Sequence, residues 1–571
     1  MAKPMTPVPF TDVTLNDVFW RPRMDTNRNV TLEINYKHNK STGRLAQFTW
    51  KKGDHHEPHI FWDSDVAKWM EAVAYSLTTH PDPAWEKRLD AVIDDLAAMQ
   101  AKDGYLNTHF LLVEPKERWR NVKGEHELYC AGHLIEAAVA YFYATGKRKF
   151  LDIMSRFADC IDKTFGPKRG QKRGYPGHQE LELALVKLYH ATNEKRYMDL
   201  ATFFVNERGQ RPGGKHYYDV EADARGHDTS RDHAYCQAHV PLREQTEVVG
   251  HAVRAMYLYA GAADVAAETN DTGLLKSLDR LWDNLVNKRM HVTGGIGPTS
   301  QNEGFTYDYD MPDETAYLET CAAIGLVFWA HRLTQFHRDR KYSDVMELAL
   351  YNGMLAGVSL SGDEFFYENP TASSLRMRGV QHGESEFYRY KRSAWFGCAC
   401  CPTNVVRIMA SLSGYQYSVD RKAVYTHLYA AGKATVTVAG QQVAITQSTK
   451  YPWKETVNFT IRPERDAEFT LALRIPGWCR TATCEVNGKR VKLDAIMKKG
   501  YAHITRTWAK GDKVKLVLDM PVERIEAHPS ARQPAGMVAM KRGPVLYCLE
   551  QVDNGEGLHD IRLPADAKLT A

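Results

Sequence analysis

The sequence predicts a multidomain α+β chain, a closed (α/α) toroid of paired helices followed by β-sandwich modules. Three observations predict it. Related apolar helix pairs recur up to about residue 415, long polar loops separate the pairs, and past Tyr415 the hydrophobic period changes to two. At 571 residues the chain also exceeds what one ordinary core can organise, so two or three domains are expected.

The helical pairs carry a common plan. LIEAAVAYFYATGKRKFLDIMSRFADCI (134–161) and LELALVKLYHATNEKRYMDLATFFVN (181–206) each contain an apolar helix, an Ala-Thr-polar turn and an aromatic residue opening a second helix. Residues 253–286 are a looser copy; 64–77 with 86–100, and 321–336 with 342–358, read as further pairs. Repeated hairpins either stack as an open solenoid or close into a ring. The loops KDGYLNTHF (102–110), GYPGHQE (174–180) and VTGGIGPTSQNEGFTYDYDMPDE (292–314) are polar, Gly-rich and aromatic, suited to lining a pocket at one end, which favours closure.

Beyond Tyr415, KATVTVAG, QVAITQS, TVNFTIRP, FTLALRIP and KVKLVLDM alternate or run apolar between Gly, Pro and Asn turns. The expected organisation is a 1–20 extension packing on the β-region, a 21–415 barrel, a 416–520 sandwich and a second sandwich beginning at 521. The last stretch offers one or two strands, so that module is expected to be truncated or to borrow strands, a lone hairpin being marginal.

Hydrophobic content of 43% and charged content of 25% are those of a globular chain, and a net charge of +4 gives no reason to expect nucleic acid or an anionic membrane as partner. The start, MAKPMTPVPFTDV, has no apolar h-region, and no apolar run is long enough to span a bilayer. Ten cysteines are too sparse for a disulfide scaffold, so a reduced, cytoplasmic protein is expected.

The chemistry concentrates in Glu319-Thr320-Cys321 and Cys398-Ala399-Cys400-Cys401. Thiolates beside a carboxylate are what a soft divalent metal requires, and tetrahedral zinc takes both. Residues i and i+2 point to different sides of a helix, so Glu319 and Cys321 reach one metal only if the helix starts near Thr320. The CACC turn precedes another helix, whose N-terminus favours thiolates. Buried hydrophobic cysteines and a purely structural zinc are the competing readings of the same residues.

A metal-held thiolate is a prepared nucleophile needing an acid partner, and Glu303 in the QNEGFTYDYD loop is the candidate. Phe305, Tyr307 and Tyr309 flank it and are expected to desolvate it and raise its pKa. His55, His56 and His59 read as loop. His126, His178 and His251 each open a helix of successive pairs and would converge on the toroid axis, favouring hydroxyl recognition.

The motifs GHLIEAAVAYF, GYPGHQELELALVKLY, GGIGPTSQNEGFTYDYD, ETCAAIG and CACCPTN resemble those of glycoside hydrolase family 127, the β-L-arabinofuranosidases, across nearly the whole helical region. The resemblance implies an (α/α)6 barrel followed by β-sandwiches, and Zn2+ held by Glu319, Cys321, Cys400 and Cys401. It implies Cys400 as nucleophile and Glu303 as acid/base, with His126, His178, His251, Tyr367 and Glu347 as sugar contacts; spacing alone does not choose Cys400 over Cys398 or Cys401. The implied reaction is retaining hydrolysis of a terminal β-L-arabinofuranoside, and the C-terminal region of relatives implies a homodimer. Where the family pattern has Gly before the acid and Ser after it, this loop reads Asn302-Glu303-Gly304. A branched acid sugar from pectin is the alternative substrate, read by Lys51, Lys52, Arg120 or Arg392. A sugar epimerase or lyase, or a carbohydrate-binding protein with structural zinc, are the alternatives of other classes.

Overall fold

The structure is a computed structural model and describes residues 4–226, 232–373 and 391–571. Helices α1 (Leu32–Ser41), α2 (Trp62–Thr79), α3 (Pro83–Met99), α4 (Glu127–Thr145), α5 (Lys149–Thr164) and α6 (Leu181–Thr192) form the first half of the helical domain. Helices α7 (Lys195–Glu207), α8 (Ala252–Thr269), α9 (Thr272–Lys288), α10 (Thr320–His337), α11 (Arg340–Leu348) and α12 (Cys400–Ala410) form the second. The even-numbered helices follow one rule: α2, α4, α6, α8, α10 and α12 each pack on the next, and α12 packs back on α2. That contact closes the ring. α3, α5, α7, α9 and α11 return on the outside, and α1 takes the sixth outer place against α2 and α12.

Composition follows position. The inner α4 is buried on almost every side from Glu127 to Tyr141, whereas outer α5 buries one stripe of Phe150, Leu151, Ile153, Met154, Phe157 and Ile161. Inner helices approach closely through small residues: a Cβ on Gly132 would lie 2.8 Å from the Leu181 nitrogen of α6. Because each inner helix is re-entered from an outer one, all six N-termini open at the same end, which is where His126, His251 and Glu319 stand as helix caps.

Strands β1 (Thr6–Pro7) and β2 (Val13–Leu15) precede the helices. After the barrel come β3 (Tyr417–Val419), β4 (Ala423–Thr426), β5 (Gly432–Val438), β6 (Gln441–Thr449), β7 (Thr456–Pro463) and β8 (Ala467–Arg474). They are followed by β9 (Ala482–Val486), β10 (Lys489–Val491), β11 (Met497–Lys498), β12 (Tyr501–Trp508) and β13 (Asp512–Leu518). Two sheets result, ordered β1-β3-β4-β8-β12-β11 and β10-β9-β13-β7-β6-β5-β2, so the N-terminal segment contributes one strand to each. Alternation does the sorting: in β5, Ala434, Val436 and Val438 are buried while the residues between them are exposed. A separate three-stranded sheet, β14 (Val522–Glu526), β15 (Val538–Arg542) and β16 (Val545–Tyr547), follows. No helix among the described residues is long and apolar enough to cross a membrane.

Barrel and sandwich meet at a buried ion network that corrects one expectation. Glu347, on α11, receives Arg474 from the end of β8, the Tyr451 hydroxyl at 2.6 Å and the Trp478 indole N–H at 3.1 Å. Arg474 also binds Asp344. With its oxygens committed to the sandwich, Glu347 is an inter-domain anchor and does not face sugar. Glu347→Leu should therefore cost a fully buried guanidinium one of its two carboxylate partners and leave the Tyr451 hydroxyl and the Trp478 N–H without their acceptor, about 3–5 kcal/mol in all, seen as a lowered thermal midpoint. KM of the folded enzyme should stay at its wild-type value; a raised KM with an unchanged midpoint would contradict this placement.

Candidate active site

Glu319 is the N-cap of α10, on extended backbone (φ −56°, ψ 136°), and the helix starts at Thr320. This is the condition under which Glu319 and Cys321 converge. The start is fixed from outside: the Thr320 N–H donates to the Tyr367 carbonyl at 3.0 Å and its hydroxyl donates to the Phe366 carbonyl at 2.8 Å. The same zipper delivers Tyr367. On the other side, α12 begins at Cys400, so Cys400 and Cys401 occupy its first turn.

The four ligand atoms of Glu319, Cys321, Cys400 and Cys401 all lie within 4.8 Å of one another. Cys321 and Cys401 sulfurs are 3.4 Å apart and Cys400 and Cys401 3.9 Å; Glu319 Oε1 is 3.5 Å from Cys400 and 3.6 Å from Cys401. A disulfide needs about 2 Å, and all four cysteines of the two segments are free. Around a tetrahedral ion with ~2.3 Å bonds to sulfur, neighbouring ligands stand roughly 3.5–3.8 Å apart, so the edges of this cluster fit a four-coordinate metal. The electrostatics of the cluster are compatible with one as well. Burial, with Cys400 and Glu303 adding to it, pushes the Glu319 carboxyl well up, burial pushes the Cys401 thiol up, and Glu319 Oε2 is buried without a partner. Cys321 and Cys401 are buried at 2% and 0% exposure, whereas Cys400 is part-exposed, with its sulfur 3.1 Å from the Tyr367 hydroxyl. Cys398 lies 3.6 Å from the same hydroxyl.

Glu303 sits in left-handed backbone (φ 52°) on a loop clipped to the start of α8. Its carbonyl accepts from the Ala252 N–H at 3.0 Å, and the Phe305 N–H donates to the Gly250 carbonyl at 2.9 Å. A Cβ on residue 304 would be 1.8 Å from the Gly250 oxygen, so this loop needs Gly after the acid. The carboxylate accepts from the Tyr235 hydroxyl at 3.1 Å and the Tyr317 hydroxyl at 3.3 Å, with His251 Nε2 at 3.3 Å. His251 Nδ1 accepts from the Val253 N–H at 3.1 Å, which leaves the proton of the neutral ring on Nε2, facing Glu303. Glu303, His251 and Glu319 present ligand atoms within 4.8 Å of one another, which puts the acid beside the cysteine cluster.

The expected environment of Glu303 is corrected here. Phe305 is in the core, Tyr307 is exposed and Tyr309 stacks on His528. Burial does act to raise the carboxyl, but His251, Arg254 and the Tyr235 hydroxyl outweigh it and hold it down at about 2.

His126, His178 and His251 form a row, with ring centroids 5.8 Å and 5.5 Å apart. Burial depresses all three, His126 to about 3, so the neutral form of each ring, with one donor and one acceptor, is favoured. His55 and His56 are exposed, and His59 packs edge-on against Phe61. Lys51 and Lys52 are exposed, Arg120 pairs with Glu117 and Arg392 donates to the Ala356 carbonyl; none of the four bonds to the cluster. Sequence reasoning missed Tyr235, Tyr317 and Arg254. None of the three left a signal: Tyr317 is two residues ahead of Glu319, but Leu318 between them stands in left-handed backbone (φ 44°), so spacing does not put the two on one side.

Comparison with known proteins gives the family. Residues 12–414 match the family description "Beta-L-arabinofuranosidase, GH127 catalytic domain", 423–520 its middle domain and 522–571 the glycoside hydrolase family 127 C-terminal domain. The chain is 38% identical over 517 residues to the non-reducing end β-L-arabinofuranosidase of Bifidobacterium longum subsp. longum, covering 88% of this chain and 78% of that one. Among solved structures, a GH127 β-L-arabinofuranosidase from Geobacillus stearothermophilus T6 superposes with a TM-score of 0.94 at 46% identity, covering 97% of this chain and 89% of that chain. A GH127 β-arabinofuranosidase superposes at 0.88 and 41%, covering 96% and 86%. The (α/α)6 barrel with β-modules, the buried Glu/Cys cluster and these matches together place the chain in glycoside hydrolase family 127, as a glycoside hydrolase.

Proposed function

We propose that this enzyme is a retaining exo-glycosidase that removes terminal β-L-arabinofuranose, with Cys400 as nucleophile, Glu303 as acid/base and a zinc ion held by Glu319, Cys321, Cys400 and Cys401. One observation carries it: three thiols and a carboxylate meet at tetrahedral spacing, and only Cys400 among the three is part-exposed. When bound, zinc keeps its cysteine ligands deprotonated at neutral pH.

The residues do the rest. Cys400 Sγ attacks the anomeric carbon while the protonated Glu303 carboxyl gives its proton to the glycosidic oxygen, so a C–S bond forms as the C–O bond breaks. The Glu303 carboxylate then takes a proton from water, the water oxygen bonds to the anomeric carbon, and the Cys400 thiolate leaves. Two inversions return the original configuration. Tyr367 beside the sulfur, and the His126, His178 and His251 row, supply the hydrogen bonds that hold the furanose hydroxyls.

The decisive experiment uses a panel of nitrophenyl glycosides with NMR of the released sugar. The β-L-arabinofuranoside should be cleaved with retention, and elemental analysis should find one zinc per chain. Cys400→Ser should lose about a thousandfold or more in kcat. Wild-type turnover by the serine variant would remove Cys400 from its role. Glu303→Gln should suffer most with poor leaving groups.

A pH profile tests the acid. As general acid Glu303 must carry a proton, so kcat/KM falls as pH rises through its pKa. Tyr235→Phe removes a donor to the ionised form, worth about 1.5–3 kcal/mol. The pKa should rise by roughly one to two units, moving the alkaline fall in kcat/KM upward; a downward shift would contradict the donor role of Tyr235.

A further inference from the structure

Gln237 is fully buried, in left-handed backbone (φ 53°), on the turn that carries Tyr235. Its side-chain nitrogen donates to the Val249 carbonyl at 2.8 Å and the His251 carbonyl at 3.1 Å, with the Tyr235 carbonyl at 3.3 Å. Its side-chain oxygen accepts from the Gln179 amide at 3.0 Å. One amide thereby joins the turn of Tyr235, the entry to α8 where His251 stands, and the segment ahead of α6 where Gln179 follows His178. The turn is tied from behind as well, since the Cys236 carbonyl accepts from Gln179 and from the buried Arg208, both at 2.9 Å.

The entry to α8 is gripped alternately from two sides. The Val249 and His251 carbonyls face Gln237, while the Gly250 carbonyl accepts from the Phe305 N–H at 2.9 Å and the Ala252 N–H donates to the Glu303 carbonyl at 3.0 Å. The three backbones lie too close for side chains to separate them. A Cβ on Gly250 would be 2.1 Å from the Ala234 oxygen, and one on Gly304 would be 1.8 Å from the Gly250 oxygen. The stack then closes on the acid, because the Tyr235 hydroxyl donates to the Glu303 carboxylate at 3.1 Å. We propose that Gln237 is a positioning residue, holding the Tyr235 turn, the His251 cap and the Glu303 loop in one register. The inference rests on the acid/base reading of Glu303. Without the Gln237 amide, two buried carbonyls of the α8 entry lose a donor, and the backbone that carries the Glu303 loop is free to shift. A shift of that kind costs most where a proton must be delivered to a fixed oxygen.

Aryl β-L-arabinofuranosides with phenol and dinitrophenol as leaving groups separate this from simple packing. Their kcat/KM reports the step that cleaves the aglycone, and phenol needs the proton of the acid where dinitrophenol does not. In the full-length chain, Gln237→Met should raise the dinitrophenyl-to-phenyl ratio of kcat/KM about tenfold over wild type. A smaller folded fraction, or a weakened sugar contact, lowers both values and leaves their ratio alone. Gln447→Met removes a buried amide from β6 of the sandwich, bonded to the Tyr417 hydroxyl at 2.6 Å, and should lower the thermal midpoint with the ratio unchanged. If Gln237→Met does not fold, Gln237→Asn decides the matter: its side chain tolerates left-handed backbone but ends a methylene short of the α8 carbonyls, and it should raise the ratio in the same direction. Glu303→Gln is the reference. A wild-type ratio in Glu303→Gln would sink the acid reading itself; a raised ratio there, with a wild-type ratio in the folded Gln237 variant, would overturn the role of Gln237 alone.

Discussion

Four acidic side chains forced into contact away from water are the constraint on which this structure turns. Burial and the neighbouring thiols push the Glu319 carboxyl and the Cys401 thiol well up, toward their protonated forms. The fold accepts that conflict and organises around it. Helix α10 begins at Thr320 because Phe366 and Tyr367 tie its first residue down, and α12 begins inside the CACC turn, so both present N-terminal dipoles to the cluster. The closed ring is what brings those two ends together, for α12 packs on both α10 and α2.

The barrel was legible wherever helices were amphipathic or uniformly apolar, because an inner helix and its outer return differ in composition by position. Ring closure was less so. The sixth outer helix, α1, reads LEINYKHNKS and buries Asn35 and Asn39 beside Leu32, so its polar residues mask its place in the fold. The change to period two at Tyr417 was plain, since strands with one face on a core must alternate.

At the site, the cysteine segments stood out because thiols beside an acid have few other uses, and geometry even dictated where α10 had to start. What sequence could not yield were residues related only by ring closure: Tyr235 and Arg254 around Glu303 arrive from separate elements with no shared spacing. Glu347 shows the opposite failure. A carboxylate on the buried side of α11 resembled a sugar contact, but its partner Arg474 lies 127 residues away in a strand, and no local pattern announces such a pair.

The environment of Glu303 explains how one carboxyl serves both halves of the proposed reaction. Donors from His251, Tyr235 and Tyr317 favour its ionised form, while the Glu319 carboxyl and the neighbouring sulfurs crowd it with negative charge that favours the proton. In the proposed reaction Cys400 is a thiolate before the sugar is attacked, and the second influence is then at its strongest, when an acid is required. Once the sulfur is bonded to carbon that charge is gone, and the three donors hold the carboxyl as the base that water needs. Release of the sugar restores the thiolate and with it the pull toward protonation. On this account the state of the acid/base follows the state of the nucleophile electrostatically, without a conformational change to couple them.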